Sequence, residues 1–87
     1  MKYFVYILYS PSINKYYVGQ TTNIENRLKF HNSKEYNKIW TKRGIPWTLV
    51  YKEEYESRSE SMQREKFIKK QKSRIYIEKL IAISSLA

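Results

Sequence analysis

Cysteine is missing from these 87 residues. That excludes disulfide frameworks, thiolate nucleophiles and cysteine-ligated zinc. Histidine is nearly missing as well. His31 alone cannot build a histidine-rich metal centre, and one histidine is a poor basis for a nucleophile triad. Any metal would therefore sit among oxygen ligands, which favours Mg²⁺ or Mn²⁺. With two glycines in the chain there is no glycine-rich phosphate loop. Long apolar runs are also lacking. The stretch Tyr3–Tyr9 is too short to span a bilayer and is followed by no small-residue cleavage site. A cytoplasmic protein with no membrane partner is expected. Acidic residues are few: 8 Asp+Glu stand against 17 Lys+Arg, a net charge of +9. Such an excess attracts polyanions, nucleic acid ahead of an acidic membrane surface, because nine tyrosines and two tryptophans also offer stacking surfaces.

What is present suits one domain over residues 1–87. Tyr3–Tyr9 is β-branched and aromatic on both faces, as in a covered central strand, and it stops at Ser10-Pro11-Ser12. Lys15–Gln20 reads as the returning strand of a hairpin. A four-residue loop at Pro11–Asn14 sets Ser10 against Lys15, Leu8 against Tyr17 and Tyr6 against Gly19. Tyr6, Leu8, Tyr17 and Gly19 then share one face, with open space beside the glycine. Thr22-Asn23-Ile24-Glu25 has the form of a capping box opening a helix to about Ser33. On it Ile24 and Leu28 face the core, flanked by Arg27 and His31. A basic loop follows, carrying Lys34, Lys38, Trp40, Lys42 and Arg43. Trp47–Tyr55 is a third strand, and Ser57-Arg58-Ser59-Glu60 caps a second helix through about Gln71. There Met62, Glu65 and Ile68 fall on one face. Ser73 caps a third helix with Ile77, Leu80 and Ile81, and the tail 84–87 is expected to fray. The order β-β-α-β-α-α predicts an α/β (α+β) fold: a small three-stranded antiparallel sheet flanked by helices.

Three ionisable side chains stand where apolar ones belong: Arg27 and His31 beside the stripe of the first helix, and Glu65 between Met62 and Ile68. Each has a plain structural reading. Arg27 snorkels or pairs with a carboxylate, His31 is a satisfied edge histidine, and Glu65 pairs with a nearby cation. Together with two tyrosines on one sheet face, they point to a polar cleft. The lysine-rich run from Lys66 to Arg74 reads as a solvated helix face. Tyr3, Tyr9, Tyr16 and Trp47 read as packing, whereas Trp40, among basic residues, has the better claim to touch nucleic acid.

Phe4-Val5-Tyr6, followed eleven residues on by Tyr17-Val18-Gly19, resembles the paired tripeptides of the GIY-YIG nucleases. Arg27 lies where that family carries its arginine, and Glu65 where it carries its metal-binding glutamate. The resemblance covers nearly the whole chain. It is closest to small stand-alone members similar to the N-terminal nuclease domain of the bacterial excision-repair nuclease. It implies a metal-dependent endonuclease acting on DNA, in repair or recombination, with no small-molecule cofactor. In that reading Glu65 binds Mg²⁺ or Mn²⁺, Arg27 opposes charge on the phosphate, and Tyr6 completes the network. Tyr17 or His31 is the general base. Gly19 leaves room for the strand, and Lys38, Trp40, Lys42 and Arg43 hold flanking nucleic acid. The alternative is a nucleic-acid-binding module that keeps the fold without cleavage.

Overall fold

The computed structural model of the protein describes residues 1–33 and 43–86. The elements run β1 (Tyr3–Ser10), β2 (Lys15–Thr21), α1 (Ile24–His31), β3 (Thr48–Tyr55), α2 (Arg58–Gln71) and α3 (Arg74–Leu86). The sheet order is β2-β1-β3, antiparallel throughout. This is the predicted β-β-α-β-α-α arrangement, with β1 as the central strand. Ser10 pairs with Lys15, Leu8 with Tyr17 and Tyr6 with Gly19, as the four-residue loop requires. Asn14 closes that loop at φ 53°, a left-handed conformation asparagine tolerates. The Tyr9 hydroxyl donates to Asn14 Oδ1 at 2.7 Å, and Arg74 from α3 holds the same residue.

Because side chains alternate along a strand, β1 feeds two cores. Val5 and Ile7 pack with Val18 and Ile68 under α2 and α3. Tyr6 and Leu8 pack with Trp47, Tyr17, Ile24 and Leu28 under α1. Opposite Ile7 and Leu8, β3 carries an extra residue: Ile7 faces Tyr51 while Leu8 faces Leu49, so Val50 forms a bulge.

Local chemistry sets the helix ends, with two departures from the sequence reading. The cap of α1 is Asn23, whose Oδ1 accepts from the Asn26 amide at 3.0 Å. The predicted capping-box residue Thr22 is one position early, because Thr21 Oγ1 already accepts from the Asn23 amide and sets the turn. Ser57 caps α2 as expected, its Oγ accepting from the Glu60 amide at 3.2 Å. Ser73 caps α3 through Tyr76 N–H at 3.2 Å. That helix continues to Leu86, past the point where fraying was expected. On α2 the inward stripe runs through Ser61 and Ile68, while Met62 is 38 % exposed. Ser61 is small enough to sit against the sheet, which turns Met62 outward.

Candidate active site

The side chains singled out in the sequence come from four elements. Tyr6 projects from the middle of β1 and is buried; Tyr17 projects beside it from β2, with ring centroids 6.3 Å apart. His31 ends α1. Asn32, the next residue, clamps the backbone of Trp47: its Nδ2 donates to the carbonyl at 3.0 Å, and its Oδ1 accepts from the amide at 2.6 Å. This clamp seats the end of α1 on the sheet. His31 is only 2 % exposed, and its ring lies 4.5 Å from that of Tyr17. Its Nε2 is 3.2 Å from the Tyr6 hydroxyl.

Burial sets the protonation of this pair. Burial, then the charge of Arg27, lowers the His31 pKa to about 4, so the ring is neutral near pH 7. Burial, then Tyr17, pushes Tyr6 up to about 12, against the opposing hydrogen bond and charge of Arg27. Tyr6 therefore keeps its proton. With Tyr6 protonated and His31 neutral, the phenol donates to His31 Nε2. Arg27 itself is exposed and lies over the Phe30 ring at 4.8 Å. Glu65, on α2, is close enough for its charge to act on Tyr6. Its side chain is 22 % exposed and meets Lys69 Nζ at 3.2 Å, one turn on. The plain reading of Glu65, a local ion pair, thus holds alongside its position near the phenols. An i,i+4 pair with one exposed partner is weak, about 0.3–0.5 kcal/mol.

Gly19 is placed differently from the sequence expectation. The space beside it is filled by Tyr6: a Cβ there would strike the hydroxyl and come within 2.6 Å of Cζ. The glycine admits the phenol, so the open space expected beside it is taken by Tyr6. Lys38, Trp40 and Lys42 lie outside the described residues. Arg43 is exposed, and its carbonyl accepts from Ser12 Oγ at 3.4 Å beside the hairpin turn, four residues along β1 from the level of Tyr6. It is not gathered with the five. Trp47 packs as expected, 2 % exposed and edge-on to Tyr17 at 6.2 Å. Three residues near the site went unread in the sequence. Asn32 is an ordinary loop residue until its partner is seen. Lys52 pairs directly with Tyr6 across β1–β3 and so shares its face. Arg58 left one trace: a cation in the first turn of a helix, against the helix dipole.

Among the described residues no three His, Cys, Asp or Glu side chains cluster as a metal cage. The Glu65 carboxylate, half-buried and near enough to Tyr6 for its charge to be felt there, remains. A lone carboxylate of this kind could serve a hard, oxygen-ligated cation that keeps most of its waters.

The structure thus sets paired phenols on adjacent strands of a three-stranded antiparallel sheet, a guanidinium on the next helix and a carboxylate on a later one. The family model described as GIY-YIG catalytic domain matches residues 2–79, and the chain belongs to that family. It is 44 % identical over 68 residues to a UPF0213 protein of Staphylococcus haemolyticus, covering 78 % of this chain and 80 % of that one. It is 40 % identical over 80 residues to one of Natronomonas pharaonis, covering 92 % and 91 %. The solution NMR structure of a UPF0213 protein from Bacillus halodurans is similar, with a TM-score of 0.59 and 32 % identity, over 95 % of this chain and 85 % of that one. No helix among the described residues is long and apolar enough to cross a membrane.

Proposed function

We propose that this protein is a divalent-metal-dependent endonuclease that hydrolyses phosphodiester bonds in DNA. The observation that carries the reading is the convergence on Tyr6: its hydroxyl meets His31, and both the Arg27 guanidinium and the Glu65 carboxylate act on it from separate helices. A surface that merely bound nucleic acid would not need a carboxylate there, since it repels phosphate unless a cation lies between.

Glu65 would hold the Mg²⁺ or Mn²⁺, which when bound supplies Lewis-acid polarisation of the phosphate. Arg27, exposed and planar, donates to the phosphoryl oxygens and opposes the charge that builds in the transition state. Tyr6 keeps its proton and donates to His31, with the Arg27 charge nearby. His31 is neutral and buried, with Nε2 engaged by Tyr6, which fits a proton acceptor within the network. Tyr17 is half-buried, and we assign it the attacking water. Lys52, on the same face, adds positive potential for the strand.

The test is incubation of the purified protein with nicked, branched and single-stranded DNA, with Mn²⁺ or with chelator. Cleavage is expected with the metal alone. Glu65→Gln should abolish it with the fold retained, and Arg27→Gln should slow it about 10²-fold or more, the scale for one preorganised charge donor. Unchanged nicking by Glu65→Gln would remove that residue from the mechanism. Tight DNA binding with no nicking on any substrate would favour the binding module instead.

A further inference from the structure

A cleft beside Arg27 is not used by the mechanism above. It opens where β1 begins and β2 ends, has a volume of about 390 Å³, and is lined by Tyr3, Gln20, Thr21, Thr22, Arg27 and Arg58, with Met1 at its edge. It therefore places two guanidinium groups on one concavity, although their residues are 31 positions apart in sequence. Among the described residues neither arginine has a carboxylate within 4 Å: the ion pairs involve Lys2, Arg64, Lys69 and Arg74. Glu54 and Glu56, which precede Arg58 in the chain, are both held by Lys2. Arg58 also stands as the first residue of α2, where the helix dipole disfavours a cation and the preceding cap, Ser57, already serves the backbone. Like charges facing one cleft, one of them against a helix dipole, are a standing cost that a bound anion would relieve.

We propose that this cleft is a second phosphate site, which takes a nucleic-acid backbone phosphate flanking the scissile one, with Arg58 as its positioning residue. The proposal rests on the reading that the neighbouring site handles a phosphodiester. Arg27 stands between the two positions, so a strand that reaches Tyr17 continues past Arg27 toward Arg58. The Gln20 amide and the Thr22 hydroxyl supply neutral donors on the same wall, and the half-buried Tyr3 ring gives sugar or base a surface to rest on. None of these groups reads a base edge, so the site would add affinity and register without sequence preference.

The test measures binding of a fluorescent short duplex to the full chain in chelator, so that no cleavage intervenes, across a salt series. Arg58→Gln should reduce the slope of log K against log salt by about 0.9 and weaken binding roughly five- to tenfold at 0.1 M salt, the signature of one lost phosphate contact. Arg58→Lys should keep most of the affinity, and Lys79→Gln, on the exposed side of α3, should change little. In parallel, titration of ¹⁵N-labelled wild-type protein with the same duplex should move the amides of Gln20, Thr21 and Thr22, a readout that needs no variant. Shifts confined to other residues, or an Arg58→Gln variant that binds like Lys79→Gln, would overturn the proposal. Both measurements read binding alone. Loss of nicking on every substrate would therefore sink the nuclease reading separately, and an active nuclease indifferent to Arg58 would sink this one.

Discussion

At Gly19 the backbone of β2 lies against the Tyr6 ring, so a single hydrogen atom there decides whether the phenol can reach His31. Alanine would strike the hydroxyl and the ring, and Tyr6, buried on the central strand, has little space to move aside. Gly19→Ala should lower stability by about 1–3 kcal/mol, the range for overpacking a tight core. It should also break the Tyr6–His31 contact and slow cleavage more than its loss of stability explains. Urea denaturation and nicking rates on the same preparation would check both, and a variant with unchanged midpoint and rate would refute the packing argument. The same glycine carries the family tripeptide, so here a sequence motif records a steric requirement.

Among the elements, α2 matters most, because it brings Glu65 and Arg58 to the sheet. It is anchored by Arg64, whose Nε donates to Glu53 Oε1 on β3 at 2.9 Å and whose second nitrogen donates to Oε2 at 3.1 Å. Glu53 also accepts from Tyr51 and, at 2.6 Å, from Tyr55. Burial pushes the Glu53 carboxyl upward, but these bonds, led by Arg64, outweigh it and hold the group below its usual value. Replacing the guanidinium leaves a mostly buried carboxylate with phenols alone. Arg64→Met should therefore cost about 1–3 kcal/mol. By loosening α2 it should also lower metal-dependent cleavage, although Arg64 is not placed at the site. Denaturant titration is the measure, and a loss below roughly 0.5 kcal/mol would show that the bridge does not hold the helix.

For the whole molecule, buried titratable groups define a pH window of stability. His31 is held near 4 in the folded chain, by burial first and then by Arg27, against about 6.5 when unfolded. Its contribution is complete above pH 6.5 and is lost as pH falls toward 4, because the unfolded chain binds the proton more readily. The loss is on the order of 3 kcal/mol. On the alkaline side Tyr6 runs the other way: its contribution is complete below pH 10 and is lost as pH rises toward 12. Thermal melts between pH 7 and 4.5 should show Tm falling for the wild-type protein and a flatter response for His31→Gln. Equal slopes would mean that His31 is not the group responsible. The net charge of +9 acts at this scale as well, drawing polyanions toward the protein, with Arg27 and Arg58 sharing one cleft.

Much of this architecture could be read along the chain because it is local. An apolar run on both faces from Tyr3 onward marked a central strand, the four-residue turn determined the hairpin register, and Ser57 and Ser73 marked helix starts by hydrogen bonds that reach three residues. The family spacing then named Tyr6, Tyr17, Arg27, His31 and Glu65 as candidates. Other features depended on distance in the fold. That the room beside Gly19 belongs to Tyr6, that Asn32 grips Trp47, and that Glu53 is claimed by Arg64 follow from contacts between elements, which no local period encodes. Arg27 and Arg58 likewise share a cleft only because β1 lies between β2 and β3, and α2 begins beside the end of the strand that leads into α1. Sequence determines what each segment can be through short-range hydrogen bonding and the burial of apolar stripes. Tertiary structure decides which charges meet, because that depends on how the segments pack.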